Sequence, residues 1–474
     1  MRIILSVALL IILLSCNNTQ INIINDSNDT SDAGDSYNLS DIIDDSITDH
    51  TGDTVDTGTE LPTRYPTNRA LSPFTSYVKK NINSIILNNP TSDQSVFMKA
   101  GASGTVSTNL LHCFADVSAT TYQLDLDNNT DLYGTLEYYR NVQISGTTPF
   151  DRITLSAESG RTALWAMTGE PSPYDSEISA INPRFAIINY GTNDMNMGTT
   201  YESAMWPFVK NFIALLEHSI EKGVVPLITG LNPRNDNISA SRWAYVYNEV
   251  TRAISEKYQL PFLNLYYLSN SLDDFGLVSD GIHGNVYYNG KIEPCIFNSS
   301  GLQYNYNNRN LYTLELLSYI YKNMILGTDA VDNFSSIYTG SGIAEDPYII
   351  DQLPFSHNDD TSLNGSKLID SYSSCDNGQD ESGNEIYYML TLEQPASLRI
   401  MLFSTGDSDS DIHLLEDEPV NNFCILRNDK IISGTFNPGI YYIVADTYVS
   451  SGIEHSGPYF IVITQCEDDD PDCI

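Results

Sequence analysis

The chain has 474 residues, 41% of them hydrophobic and 11% aromatic, so it can bury a full-sized core. That excludes wholesale disorder, a collagen-like fibre and a small scaffold held by disulfides alone. Lys and Arg total 23 against 61 Asp and Glu, a formal net charge of −38 that phosphate backbones repel, which excludes nucleic acid as a partner.

The first residues read MRIILSVALLIILLSC, with Arg2 followed by an apolar run over 3–14 that is too short to span a bilayer as an ordinary helix. Taken alone, this run fits a plain secretory signal. The segment Leu13-Leu14-Ser15-Cys16 resembles the bacterial lipobox. That resemblance implies a signal peptide over 1–15 and lipidation of Cys16, which would hold the protein on a membrane without a spanning helix. Asn17 follows the cysteine, with no Asp to signal inner-membrane retention, so an outer-membrane lipoprotein or cell-surface location is expected. Residues 17–62 carry eleven acids, no Lys or Arg, and no helix or strand period. A disordered acidic linker over 16–72 is expected, because such a segment cannot bury enough apolar area to offset its ordering entropy.

From 73 to 328 the texture changes. Phe74, Val78, Ile82 and the run 85–87 suggest a first helix. Short apolar runs at 96–98, 185–190, 224–229 and 262–267 read as buried parallel strands. Helical periods lie between them, at 202–222 and 239–258, and a last helix is expected over 310–324. Strands alternating with helices imply a three-layer α/β/α domain around a parallel sheet. Over 340–466 the runs 386–392, 397–403, 440–445 and 459–464 are strand-like, with turn signals such as Asn437-Pro438-Gly439 between them, so a separate all-β sandwich is expected. Residues 467–474 form an acidic tail, and 340–474 as a whole carries a net −21.

Six cysteines follow Cys16, an even number that suggests disulfides in an exported protein. One bridge is expected in the α/β region, Cys113 with Cys295, and two within the last third of the chain. No pair has CxxC spacing, so no thiolate metal site is expected.

Three features carry chemistry. The run 96–98 leads into Gly101-Ala102-Ser103-Gly104-Thr105, a serine on a tight turn where an α/β fold exposes a nucleophile. A second strand ends at Gly191-Thr192-Asn193-Asp194, where an Asn amide can donate to a developing oxyanion. The third is Asp280-Gly281-Ile282-His283, whose spacing lets a carboxylate orient an imidazole. Each taken alone is also compatible with an ordinary turn or a structural histidine.

Together and in this order, the three blocks resemble the SGNH hydrolases, or GDSL-like esterases. The resemblance covers about 230 residues, with Ser103 at the nucleophile block, Gly191 and Asn193 at the GxND block, and Asp280 and His283 at the DxxH block. It implies a Ser103-His283-Asp280 triad and an oxyanion hole from Ser103, Gly160 and Asn193. Gly191 and Asp194 are assigned to substrate binding, with Thr105, Asn109 and Asn196 along the cleft. No cofactor is implied. The implied activity is a surface-anchored serine esterase acting on a small-molecule ester or an acylated glycan. Ala102 stands where that family has Asp, and Gly104 where it has an apolar residue, so the alternative is a weakened or inactive relative that binds a glycan or partner.

The segment 406–415 together with 437–444 resembles the bacterial pre-peptidase C-terminal (PPC) domain, a β-sandwich appended to secreted hydrolases. Asp407, Asp409 and Asp411 have the oxygen spacing of a calcium loop, but Ile412 stands where an EF-hand has Gly and no helices flank it, so an EF-hand is rejected. A solvated acidic loop is expected, with a different calcium site as the alternative.

Overall fold

The computed structural model describes residues 61–474, apart from 117, 119, 335, 336, 376, 377, 468 and 474. The signal-like segment, Cys16 and most of the acidic stretch lie outside the described residues. Thr75 accepts from the Val78 amide and starts helix α1, Ser76–Leu87, with Val78, Ile82 and Ile85 buried. Strands β1 (Asp93–Gly101), β2 (Pro183–Asn189), β3 (Val225–Thr229) and β4 (Phe262–Leu263) pair in that order as a parallel sheet. Every residue of β3 is buried, as a strand covered by helices on both faces must be. Helices α2 (Tyr201–Glu221), α3 (Ile238–Lys257) and α4 (Asn305–Ile320) bring Phe208, Phe212, Leu216, Tyr247, Val250, Leu314 and Leu317 into that core.

Two expectations about elements shift. The apolar run at 262–267 is a strand only to Leu263, because the Asn264 side chain caps a new helix, Leu265–Asn270, by accepting from the Tyr267 amide at 3.1 Å. The last helix begins at Asn305, and Asn305, Asn307, Asn308, Arg309 and Asn310 in its first turns are all buried.

The C-terminal part is two packed antiparallel sheets, as expected. One has the order β10 (Ile431–Phe436), β7 (Ala396–Ser404), β12 (Pro458–Gln465), β5 (Phe355–Asp360). The other runs β9 (Cys424–Asn428), β8 (Ser410–Glu416), β11 (Gly439–Thr447), β6 (Glu385–Leu392), closed by the short parallel strand Tyr348–Ile349. Ile386, Tyr388, Leu398, Ile400, Ile412, Leu414, Ile443 and Ile461 fill the space between them. The disulfides are Cys113–Cys295, Cys375–Cys424 and Cys466–Cys473, one in the α/β region and two in the last third.

The sandwich is not a separate body. Met401, Phe403, Phe460 and Val462 join the α/β core, and Phe403 stacks on Trp206 of α2 at 5.5 Å. Trp243 of α3 donates its indole N–H to Asp472 at 2.8 Å, and the Arg399 guanidinium lies 4.5 Å from the Trp243 ring centre. The described residues therefore form one unit. The acidic tail is fixed for the same reason: Arg242 pairs with Glu467 and Asp469, Arg399 with Asp470 at 2.5 Å, and a disulfide closes the loop. The linker also ends earlier than 72. Tyr65 is buried with its hydroxyl on the Leu260 carbonyl at 2.9 Å, the Thr63 amide donates to Gln259 at 2.7 Å, and Leu71 bridges Leu263.

Asp407 and Asp409 are exposed, as in a solvated acidic loop, and no calcium loop forms with Asp411. Asp411 is buried in β8 with its carboxylate paired to Arg427. Glu381 and His413 come close to Asp411, yet the Arg427 guanidinium also lies 3.7 Å from Glu381 Oε1, so the chain supplies its own cation there.

Candidate active site

The nucleophile turn begins at Gly101, whose amide donates to the Ser156 carbonyl at 3.1 Å and whose carbonyl accepts from Glu158 at 3.2 Å. A Cβ at 101 would meet the Thr105 side chain and sit 2.7 Å from the Asn189 carbonyl, so only glycine lets the chain turn this tightly. Ser103 then opens a single helical turn, Ser103–Val106, held by the Thr105 and Val106 amides on the Ala102 carbonyl at 2.9 and 3.0 Å.

His283 Nε2 lies 2.8 Å from Ser103 Oγ, and its Nδ1 lies 2.7 Å from Asp280 Oδ2. Asp280 Oδ1 also accepts from the backbone amides of Ile282 and His283, at 2.9 and 3.0 Å. With Nδ1–H donating to the carboxylate, Nε2 presents its lone pair to the serine hydroxyl. Burial pushes the Asp280 carboxyl up, but these hydrogen bonds outweigh it and hold the group down at about 2. The loop is locked from outside: Gly281 has φ +70°, and a Cβ there would lie 2.6 Å from the Asp236 amide. The structure brings all three side chains together.

Gly160, at φ +79°, follows the segment 156–158, which lies alongside the end of β1 through the Gly101–Ala157 bridge. Tyr190 steadies it by donating to the Ser156 carbonyl at 2.8 Å. Asn193 Nδ2 donates to the Arg161 carbonyl at 3.0 Å, tying its turn to the glycine loop, and the amide keeps a second N–H. Ser103, Gly160 and Asn193 thus come from three loops fastened to one another.

Gly191 and Asp194 do not line a substrate cleft. Asp194 is 3% exposed and its carboxylate clamps the backbone, accepting from Ala163 and from Gly191, each at 3.0 Å. Burial raises its pKa to about 6. Gly191 is buried at φ +121°, where a Cβ would press on Leu231. Both residues shape the turn that presents Asn193. Thr105 is buried as well, whereas Asn196 is exposed. Spacing gave no sign of Arg309, which lies under the nucleophile turn; the buried polar run 305–310 is the feature that marks it.

The model of the GDSL-like lipase/acylhydrolase family matches residues 45–287, half of the chain, and spans every residue of the site just described apart from Arg309. No curated protein matches. Among solved structures, the chain is similar to a two-domain esterase active on acetylated mannans, crystallised with mannopentaose, at 11% identity over 84% of this chain and 97% of that one, with a TM-score of 0.28. It is similar to a GDSL-like lipase from Bacteroides thetaiotaomicron at 14% identity, covering 53% and 100%, with a TM-score of 0.28. A pre-peptidase C-terminal domain of collagenase from Bacillus anthracis matches at 10% identity, covering 24% of this chain and 90% of that one, with a TM-score of 0.16. On the family match, the chain belongs to the GDSL-like lipase/acylhydrolase family.

Proposed function

We propose that this protein is a serine ester hydrolase whose nucleophile is Ser103. The observation that carries this reading is the double engagement of His283, 2.8 Å from the serine oxygen and 2.7 Å from the Asp280 carboxylate. In the reaction, Ser103 Oγ attacks the ester carbonyl carbon while His283 Nε2 takes the hydroxyl proton. Asp280 holds the ring tautomer and balances the imidazolium. The tetrahedral oxyanion accepts from the Ser103 and Gly160 amides and the free N–H of Asn193. Collapse expels the alcohol, which takes the proton from His283. Water then repeats the sequence on the acyl-enzyme, releasing the carboxylic acid and regenerating the serine.

The favoured substrate is an acetylated glycan or another short-chain acyl ester. The side chains of His283 and Asp280 are 44% and 47% exposed, an open site suited to an ester carried on a large polymer. We assign the sandwich a PPC-like accessory role and Cys16 a lipid anchor at the cell envelope. No helix among the described residues is long and apolar enough to cross a membrane. Acetate release from acetylated xylan or mannan, measured beside p-nitrophenyl octanoate, tests the substrate class. Acetate release with little octanoate cleavage is expected, and the reverse would contradict it. Metabolic labelling with palmitate tests the anchor, which Cys16→Ala removes.

A further inference from the structure

Arg309 is 2% exposed and forms no ion pair with a carboxylate among the described residues; burial pushes its pKa down. A buried guanidinium without a counter-charge is costly and calls for a reason. Its Nη1 donates to the Gly104 carbonyl at 3.3 Å, and its Nη2 to Asn189 Oδ1 at 3.1 Å, while Nε has no partner. Asn189 is itself anchored, donating to the Thr229 and Gly230 carbonyls at 3.1 and 2.9 Å. The guanidinium therefore ties the residue after the nucleophile to the ends of β2 and β3. The Tyr306 hydroxyl approaches the same Gly104 carbonyl at 3.5 Å.

Two sequence departures fall into place around this contact. Ala102 offers no side-chain hydrogen bond, so the turn lacks support from that position. Gly104 has no side chain, and a Cβ there would lie 3.0 Å from Arg309 Nη1. A side chain at 104 would crowd the guanidinium where it meets the backbone.

We propose that Arg309 is a positioning residue for the nucleophile, holding the Gly104 carbonyl and through it the Ser103 turn, in place of a polar side chain at 102. This rests on the reading of Ser103 as the nucleophile. Misplacing a reacting group by a fraction of an ångström slows chemistry more than it weakens substrate binding. The effect should therefore fall on kcat.

The test uses the full chain with p-nitrophenyl acetate, each rate divided by the fraction of sites labelled by a fluorophosphonate. Arg309→Met is expected to lower kcat by about tenfold or more with KM changed by no more than about twofold, and to slow labelling in parallel. Arg309→Lys, which keeps the charge, should recover part of the loss. Gly104→Ala should lower kcat while leaving the melting temperature close to wild type. If Arg309→Met does not fold, Gly104→Ala and Arg309→Lys decide. Wild-type kcat and labelling rate in the folded variants overturn the proposal, as does a change confined to melting temperature. A wild type that neither hydrolyses the ester nor takes the label overturns the esterase reading itself, and this proposal with it.

Discussion

His283 Nε2 stands 2.8 Å from Ser103 Oγ although 180 residues separate them in the chain. The approach depends on two closely packed backbones. Gly101 packs against Asn189 at one side, and Gly281 against Asp236 at the other. Asp280 completes the arrangement by holding the imidazole through both its ring and its amide.

Asp280→Ala should therefore cut kcat by on the order of a thousandfold, through loss of the tautomer and of the imidazolium's counter-charge. It should also change acid stability. The folded carboxyl titrates at about 2, below its unfolded value, so its contribution is present above about pH 4 and lost as pH falls toward 2. The gap in melting temperature between wild type and variant should narrow over that range. The gap itself should be small, because the side chain is nearly half exposed.

Asp194→Ala should destabilise the protein by about 2 kcal/mol or more, because it strands the buried amides of Ala163 and Gly191. Its pH signature has the opposite sign. The folded carboxyl titrates at about 6, above its unfolded value, so wild type loses stability relative to Asp194→Asn as pH rises from about 4 to about 7. Urea titrations at several pH values measure the slope.

The Cys113–Cys295 bridge joins residues 182 apart in the α/β unit. Replacing both cysteines with alanine should lower stability by about 2–5 kcal/mol, since the unfolded chain regains the freedom of a long loop. Thermal melts with and without reductant check this: reductant opens all three bridges, so the gap between wild type and variant should close once both are reduced.

Phe403 is 2% exposed and stacks on Trp206 across the joint between the sandwich and the α/β sheet. Phe403→Ala should cost about 3–5 kcal/mol, although the residue lies outside the catalytic machinery. Calorimetry of wild type should give one unfolding transition, because the two parts share a core. Two well-separated transitions would show that they fold independently.

Much of this architecture was readable from sequence. The strands at 185–190 and 224–229 stand out because burial on both faces demands unbroken apolar runs, and α2 and α3 because their apolar residues recur at helical spacing. Ser103, Asn193, Asp280 and His283 could be singled out because each lies on a turn-forming segment, in the order of the family they resemble. Asp194 was misplaced in the cleft because spacing does not tell which way a side chain points; here it turns inward to two backbone amides. Arg309 was invisible because the polar run 305–310 resembles a solvated surface, and only the fold places it against Gly104. The packed segment 63–72 has no period at all. Its order comes from partners nearly two hundred residues away, such as Gln259 and Leu260.

The most direct test is to treat the full chain with a fluorophosphonate and locate the adduct by mass spectrometry, beside p-nitrophenyl acetate hydrolysis by wild type and Ser103→Ala. A single adduct on Ser103, with labelling and hydrolysis both abolished in Ser103→Ala, is the predicted result. Hydrolysis in Ser103→Ala at the wild-type rate, or an adduct on another residue, would contradict the assignment of Ser103 as the nucleophile.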